Sequence, residues 1–320
     1  MGKTIRVAVV GAGHFGREHA RVYATLENAR LVAVCDSNES VAQEVAGRFA
    51  VPAVADYRDL MDEVDAISAA VPTVQHHGVA CDFLNAGIAV LVEKPIALTL
   101  AEAGRMVEAA GRTGAVLQVG HLERFNPAVV SAEAIVTQPR FFEAHRLSPF
   151  TPRSLDIDVV MDLMIHDLDI VLSLVKSEVA EVRAAGIPVL TPRTDIANAR
   201  IEFENGCIAN LTASRVSLER VRKLRFFQPH QYVSIDYTAQ EASVVSVNPE
   251  ASQGAAPFTG SLLPAERDEP LRLEIESFLK AVSAGGSVRV SGQAGLDALR
   301  LALSINERIR AHSLKLSTSV

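Results

Sequence analysis

Short apolar runs and amphipathic stretches alternate through the first 120 residues, and the pattern changes after Gly120. Residues 4–10 form an apolar run of the kind buried on both faces of a sheet. The run leads straight into Gly11-Ala12-Gly13-His14-Phe15-Gly16 and then a helical stretch to about residue 26. Further strands are predicted at 31–35, 66–70, 88–92 and 116–119. Helices are predicted at 39–49, 75–85 and from a Thr99 cap to about residue 112. Gly87 supplies a helix-stop signal after the second of these. Strands and helices in strict alternation with short connections specify a parallel, doubly wound sheet. Residues 1–122 are therefore expected to be an α/β Rossmann-type domain.

Strands dominate the second half. A helix to about residue 136 is followed by a strand at 141–147, a loop rich in Pro, Arg and Ser, and a helix at 158–175. Strands then follow at 182–187, 197–203, 208–214, 223–227, 232–236 and 241–247, with Asn205-Gly206 as a hairpin turn between two of them. Consecutive strands joined by tight turns predict a large, mainly antiparallel sheet. Helices cover one face, and the open face is free to meet another subunit. Residues 248–268, rich in Pro, Gly, Ala and Ser, read as a mobile loop. Residues 270–284 form an amphipathic helix with Leu271, Ile275, Phe278, Leu279 and Val282 on one side, and 293–311 a final helix. The second domain is thus an α+β unit over 123–320, including the C-terminal helices.

Composition narrows the function classes. The 320 residues are 48% hydrophobic with a formal net charge of -7, a balance that excludes a phosphate-backbone binder of nucleic acid. No apolar run reaches the roughly 18 residues of a membrane span, and no signal peptide is expected. Cys35, Cys81 and Cys207 are scattered and odd in number, so neither a disulfide framework nor a metal site is indicated. A cytoplasmic protein fits.

The candidate chemistry collects at the carboxyl ends of the predicted parallel strands, where ligands of such sheets bind. The glycine run follows a strand, opens a helix, and precedes by twenty residues an acid at a strand end, Asp36. That is the context of a dinucleotide site, with the pyrophosphate at the helix N-terminus. Gly11, Ala12, Gly13, His14, Phe15 and Gly16 are the expected cradle. Asp36, followed by Ser37 and Asn38, favours NAD over NADP, because a carboxylate there accepts from the ribose hydroxyls and repels a 2′-phosphate. Val71, Pro72, His76, Glu93 and Lys94 are expected to line the same crevice, with His77 structural. Pro95 holds Lys94 in extended backbone at its strand end. Near the midpoint, Asp162 and His166 stand four residues apart in an apolar frame. On a helix they share a face, and an Asp beside a His orients the imidazole for proton transfer.

Together these motifs resemble the Gfo/Idh/MocA family of oxidoreductases. The resemblance runs through essentially the whole chain: the glycine run, Val71-Pro72-Thr73 with His76, Glu93-Lys94-Pro95, Arg124-Phe125-Asn126-Pro127, Asp162/His166 with Asp169, and the last two helices around Val290-Ser291-Gly292. It implies a Rossmann domain plus an open-faced sheet domain, with the active site between them. Lys94, Asp162 and His166 would be the catalytic group, with substrate contacts from these three and from His121, Arg124, Asn126 and Arg153. It also implies a homo-dimer or homo-tetramer. The runs around His121 and His166 look most like the branch that oxidises the 3-hydroxyl of UDP-N-acetylglucosamine, ahead of transamination on the route to amide-linked lipid A. Cations for a diphosphate would come from Arg124, His145, Arg146 and Arg153. Two departures stand out: Met164 occupies a position that is usually Gly, and residues 156–161 replace a glycine-rich run, both expected to alter the pocket wall. The alternatives are a dehydrogenase or reductase of a free sugar or cyclitol, and a non-catalytic NAD(P)-binding sensor, which would not need Lys94, Asp162 and His166 together.

Overall fold

The computed structural model describes residues 4–151, 157–247 and 257–317. The chain forms two compact units, one comprising residues up to Leu122 with Glu269–Leu299, the other Glu123–Asp268 with the residues from Arg300 onward.

In the first unit, β1 (Ile5–Val10), β2 (Ala29–Cys35), β3 (Ala53–Val54), β4 (Ala66–Ala69), β5 (Ala89–Glu93) and β6 (Leu117–Gly120) make one sheet in the order β3-β2-β1-β4-β5-β6. Every pairing is parallel. Between them run α1 (His14–Tyr23), α2 (Glu39–Arg48), α3 (Thr73–Asn85) and α4 (Leu100–Thr113). Strand order reverses between β1 and β4, which opens a crevice beyond their carboxyl ends. Thr99 begins α4 with a reciprocal capping box: its hydroxyl accepts from the Glu102 N–H, and the Glu102 carboxylate accepts from the Thr99 N–H.

The helix α7 (Pro270–Ala284) belongs to this unit, although chain order groups it with the later sheet. Its stripe of Leu271, Ile275, Phe278 and Leu279 is buried in one cluster with Val7, Val9, Tyr23 and Leu31. A parallel sheet needs both faces covered, and α7 supplies that cover. An Arg21–Glu269 ion pair ties its start to α1, and the Gln118 amide donates to the Glu274 carbonyl at 3.1 Å. The division between units falls inside α8 (Gly292–Ser317), whose Gly295 packs so tightly that an added Cβ would lie 2.7 Å from Val119.

The second unit is built on β7 (Phe141–Leu147), β8 (Val179–Ile187), β9 (Ile196–Phe203), β10 (Ile208–Ser214), β11 (Val221–Gln228), β12 (Gln231–Asp236), β13 (Glu241–Val247) and β14 (Phe258–Leu262). Their order is β14-β13-β12-β11-β7-β10-β9-β8, antiparallel except for the β7–β10 pair. Burial alternates along the strands, as a one-faced sheet requires. On β7, Phe142, Ala144 and Arg146 point inward, while Glu143 and His145 lie on the other face. The short α5 (Pro127–Glu133) and α6 (Ile165–Val175) belong to the same unit. Residues 258–262, expected as loop, instead pair with β13. All five are exposed, so no burial pattern announces them, and the ladder groups of β13 set the conformation. Residues 248–256 lie outside the described residues.

Candidate active site

Sterics fix the glycine turn. Gly11 has φ +95°, and an added Cβ would lie 2.5 Å from the Ala70 carbonyl oxygen. A Cβ on Gly16 would fall 1.7 Å from the Gly11 carbonyl oxygen. Gly13 differs, since a Cβ there meets nothing within 4 Å. It opens α1 with no side-chain cap and no acid in the first turn, which leaves a positive helix end facing open space. His14 and Phe15 are exposed on that first turn, their rings in edge contact at 5.5 Å. The Ala12 N–H donates to Asp36 Oδ2 at 2.8 Å and the Asn38 N–H to Oδ1 at 2.9 Å. The acid is therefore held at the end of β2, part-exposed. A tight turn, an uncapped helix start and an anchored carboxylate are what a dinucleotide needs, and these residues fit one.

At the ends of β4 and β5 the structure turns two expected crevice residues inward. His76 is 1% exposed. Its Nδ1 lies 2.9 Å from the Pro95 carbonyl oxygen and its Nε2 2.9 Å from that of Val71. The ring stands between the two carbonyls, a neutral imidazole donating to one of them, and His76 acts as a strut between the two strand ends. Burial holds its pKa below the usual range, against the contrary pull of those carbonyls. Pro72 is exposed and Val71 part-exposed at the same end. Glu93 is 6% exposed, with Oε1 3.0 Å from His19 Nε2 and Oε2 accepting the Lys94 N–H at 3.2 Å. Burial favours its neutral acid, but the His19 hydrogen bond and the Lys94 ammonium outweigh that and hold the carboxyl below its ordinary range. Lys94 itself is part-exposed. His77, on the outer side of α3, accepts from Arg105 Nε at 3.0 Å. His121, expected to touch substrate, is 1% exposed just beyond β6.

In the second unit, Asp162 lies in a π-helical turn, Val160–Met164, that runs into α6 at Ile165. Such wide turns inside helices are frequent at functional sites. Asp162 and His166 are part-exposed, while Met161, Met164, Ile165, Asp167 and Leu168 around them are buried. The turn is anchored at its start. Asp158 Oδ1 accepts from the N–H groups of Val160 and Met161, Asn306 donates to Asp158 Oδ2 at 2.9 Å, and Arg215 donates to the Ile157 carbonyl at 2.6 Å. Met164 is 1% exposed, so it fills core rather than lining a pocket wall as the sequence led us to expect.

Three further expectations change. Asn126 spends its polar atoms internally: Oδ1 caps α5 through the Ala128 N–H, and Nδ2 donates to Glu123 and the Tyr237 carbonyl. It is a helix cap followed by Pro at N1. Arg124 pairs with buried Asp169 at 3.5 Å. Arg146 is buried, donating to Asp167 at 2.8 and 3.0 Å and to Glu123 at 3.0 Å, with its guanidinium 4.8 Å over the Tyr237 ring. Burial disfavours its charge, yet Asp167 and Glu123 prevail and hold its pKa well above the ordinary value. Arg146 is therefore committed to pinning the first turn of α6. Arg153 lies outside the described residues. A further cation stands on the same inner face: Arg222, opposite Arg146 in the β11–β7 register and part-exposed. Burial, then Arg146 beside it, lowers its pKa. Among the described residues no His, Cys, Asp or Glu cluster is arranged to hold a metal ion, and no helix is long and apolar enough to cross a membrane.

The glycine turn, Asp36 and the parallel sheet place residues 5–121 within the description "Oxidoreductase family, NAD-binding Rossmann fold", and residues 128–228 match the GFO/IDH/MocA C-terminal domain. The chain belongs to the Gfo/Idh/MocA oxidoreductase family. It is 39% identical to the UDP-N-acetylglucosamine 3-dehydrogenase of Acidithiobacillus ferrooxidans, over 96% of this chain and 98% of that protein. A solved structure of that enzyme superposes with a TM-score of 0.90 over 96% of this chain and 98% of the other, at 38% identity. The inositol 2-dehydrogenase of Rhizobium meliloti is 26% identical over 93% of this chain and 95% of its own length. This member of the Gfo/Idh/MocA family is accordingly an enzyme, a dehydrogenase with an NAD-binding Rossmann domain.

Proposed function

We propose that the chain oxidises the 3-hydroxyl of UDP-N-acetylglucosamine with NAD+ as acceptor. The observation that carries this reading is the end-to-end similarity to the Acidithiobacillus ferrooxidans enzyme of that name. Asp36 supports NAD over NADP: it is anchored by two backbone N–H groups, and Ser37 and Asn38 offer no cation for a 2′-phosphate. Gly11, Ala12, Gly13 and the start of α1 would hold the pyrophosphate. When bound, NAD+ accepts the hydride from the carbinol carbon.

The chain's own residues handle the proton and the oxygen. His166, with Asp162 one turn before it, takes the hydroxyl proton. Lys94 donates a hydrogen bond to the same oxygen and stabilises the negative charge that develops there. The two can exchange these roles. Arg222 would meet the diphosphate, because Arg146 is already committed to Asp167 and Glu123. The 3-keto product would pass to an aminotransferase on the route to amide-linked lipid A. We further propose a cytoplasmic homo-dimer or homo-tetramer joined through the outer face of the eight-stranded sheet.

The test is cofactor reduction by the purified protein with UDP-N-acetylglucosamine, N-acetylglucosamine and myo-inositol in parallel, with an aminotransferase present to remove ketone. Turnover confined to the nucleotide sugar is expected. Faster turnover of a free sugar or cyclitol would replace this reading, and NAD+ binding without turnover of any of them would favour a sensor.

A further inference from the structure

Behind Lys94 runs a chain of buried polar side chains drawn from α1, β4 and β5. The Tyr23 hydroxyl lies 2.8 Å from Ser68 Oγ, Ser68 Oγ lies 2.9 Å from His19 Nδ1, and His19 Nε2 lies 3.0 Å from Glu93 Oε1. Glu93 Oε2 closes the line on the Lys94 N–H at 3.2 Å. Tyr23, Ser68 and His19 are all 0% exposed.

Chemistry fixes the hydrogen at the carboxylate end of this line. An ionised carboxylate only accepts, so His19 Nε2 carries the hydrogen that meets Glu93. Burial pushes the Tyr23 phenol up, so its O–H is retained. Ser68 Oγ bridges the Tyr23 hydroxyl and His19 Nδ1, and His19 Nε2–H meets Glu93. Glu93 is also confined from its far side, since a Cβ on Gly120 would stand 3.2 Å from its Cα, Cδ and Oε2.

Stability alone does not call for this arrangement. Well-packed apolar side chains of similar volume commonly do as well as a buried ionic pair, or better. The line ends on a carboxylate whose chain neighbour is Lys94 and whose charged form Lys94 favours. We propose that His19, with its ring held in place by Ser68 and Tyr23, is a positioning residue that keeps Glu93 a fixed carboxylate beside Lys94 and thereby fixes the reach of the Lys94 ammonium. The inference rests on the role proposed above for Lys94.

The experiment compares kcat, the KM values and the melting temperature of wild type, His19→Ala, His19→Gln, Tyr23→Phe, Ser68→Ala and Lys94→Ala. A displaced reacting group lowers kcat on the order of 10- to 100-fold, and that loss is expected for His19→Ala. Its KM for NAD+ should stay within about threefold, because the nucleotide cradle is untouched. His19→Gln, with an amide N–H in place of Nε2–H, should recover most of the loss. Tyr23→Phe and Ser68→Ala loosen only the hold on the His19 ring and should cost roughly 2- to 10-fold in kcat. A lower melting temperature with wild-type kcat in all four relay variants, while Lys94→Ala is inactive, overturns the positioning role and leaves the Lys94 reading intact. If Lys94→Ala is active, the reading of Lys94 falls and this inference with it. Should His19→Ala not fold, wild-type kcat in both Tyr23→Phe and Ser68→Ala overturns the proposal.

Discussion

Replacing Arg146 by Met tests how the second unit secures the helix that carries His166. Met keeps much of the apolar stem and deletes three charge-assisted hydrogen bonds, of 2.8, 3.0 and 3.0 Å. The triad as a whole adds little net stability, because burying three charges costs nearly what their attraction returns. Removing one partner is different, since Asp167 at 2% exposure and Glu123 at 6% would be left buried without their cation. Breaking a buried pair in this way costs about 3–5 kcal/mol. In a unit of 150 to 250 residues each kcal/mol lowers the melting temperature by roughly 2–4 °C, so Arg146→Met should melt roughly 6–20 °C below wild type. The assay is thermal unfolding by circular dichroism, with a second protein carrying Arg146→Met, Asp167→Asn and Glu123→Gln together. That triple variant buries no uncompensated charge and should regain much of the loss. The reasoning is refuted if the single variant lies within about 1 kcal/mol of wild type, or if the triple variant is no more stable than the single one.

Other changes give equally definite outcomes. Asp36→Ser removes the carboxylate that would repel a 2′-phosphate, and the ratio of kcat/KM for NAD+ over NADP+ should fall by about tenfold or more. Arg222→Ala should raise KM for UDP-N-acetylglucosamine by about 10-fold or more with KM for NAD+ little changed, as steady-state kinetics would show. Asp195 governs acid stability. Burial favours its neutral form, but the Thr191 hydroxyl and the N–H groups of Thr191, Val189 and Leu190 prevail and lower its pKa from 3.8 to about 2. A folded pKa depressed in this way contributes stability that is full above 3.8 and is lost as pH falls toward about 2, in all about 2 kcal/mol. Urea unfolding should register that loss in wild type between those pH values, and Asp195→Asn should show it much reduced.

Much of this fold is legible before any coordinates. The 4–10 run, the glycine turn and Asp36 announce a nucleotide-binding half through local spacing alone, and Thr99 with Glu102 marks a helix start by its chemistry. Period-two alternation on β7 also places Arg146 on the same face as Phe142 and Ala144, so its burial was readable, and only a demand for diphosphate cations drew it toward the surface. Asn126-Pro127 is likewise a local cap signature. The relay is another matter. His19 and Tyr23 are one turn apart on α1, but Ser68 and Glu93 join them from strands 45 to 74 positions away, and no local pattern reports such a meeting. The same holds for α7, whose apolar stripe is plain in the sequence while the sheet it covers is not.

The 3-position of the sugar is the central claim, and label transfer tests it most directly. UDP-N-acetylglucosamine carrying deuterium at C3 is turned over with NAD+, and the reduced cofactor is weighed by mass spectrometry. One deuterium per reduced nicotinamide is predicted. Reduced cofactor without deuterium would mean that the hydrogen leaves from another carbon, and would contradict the account.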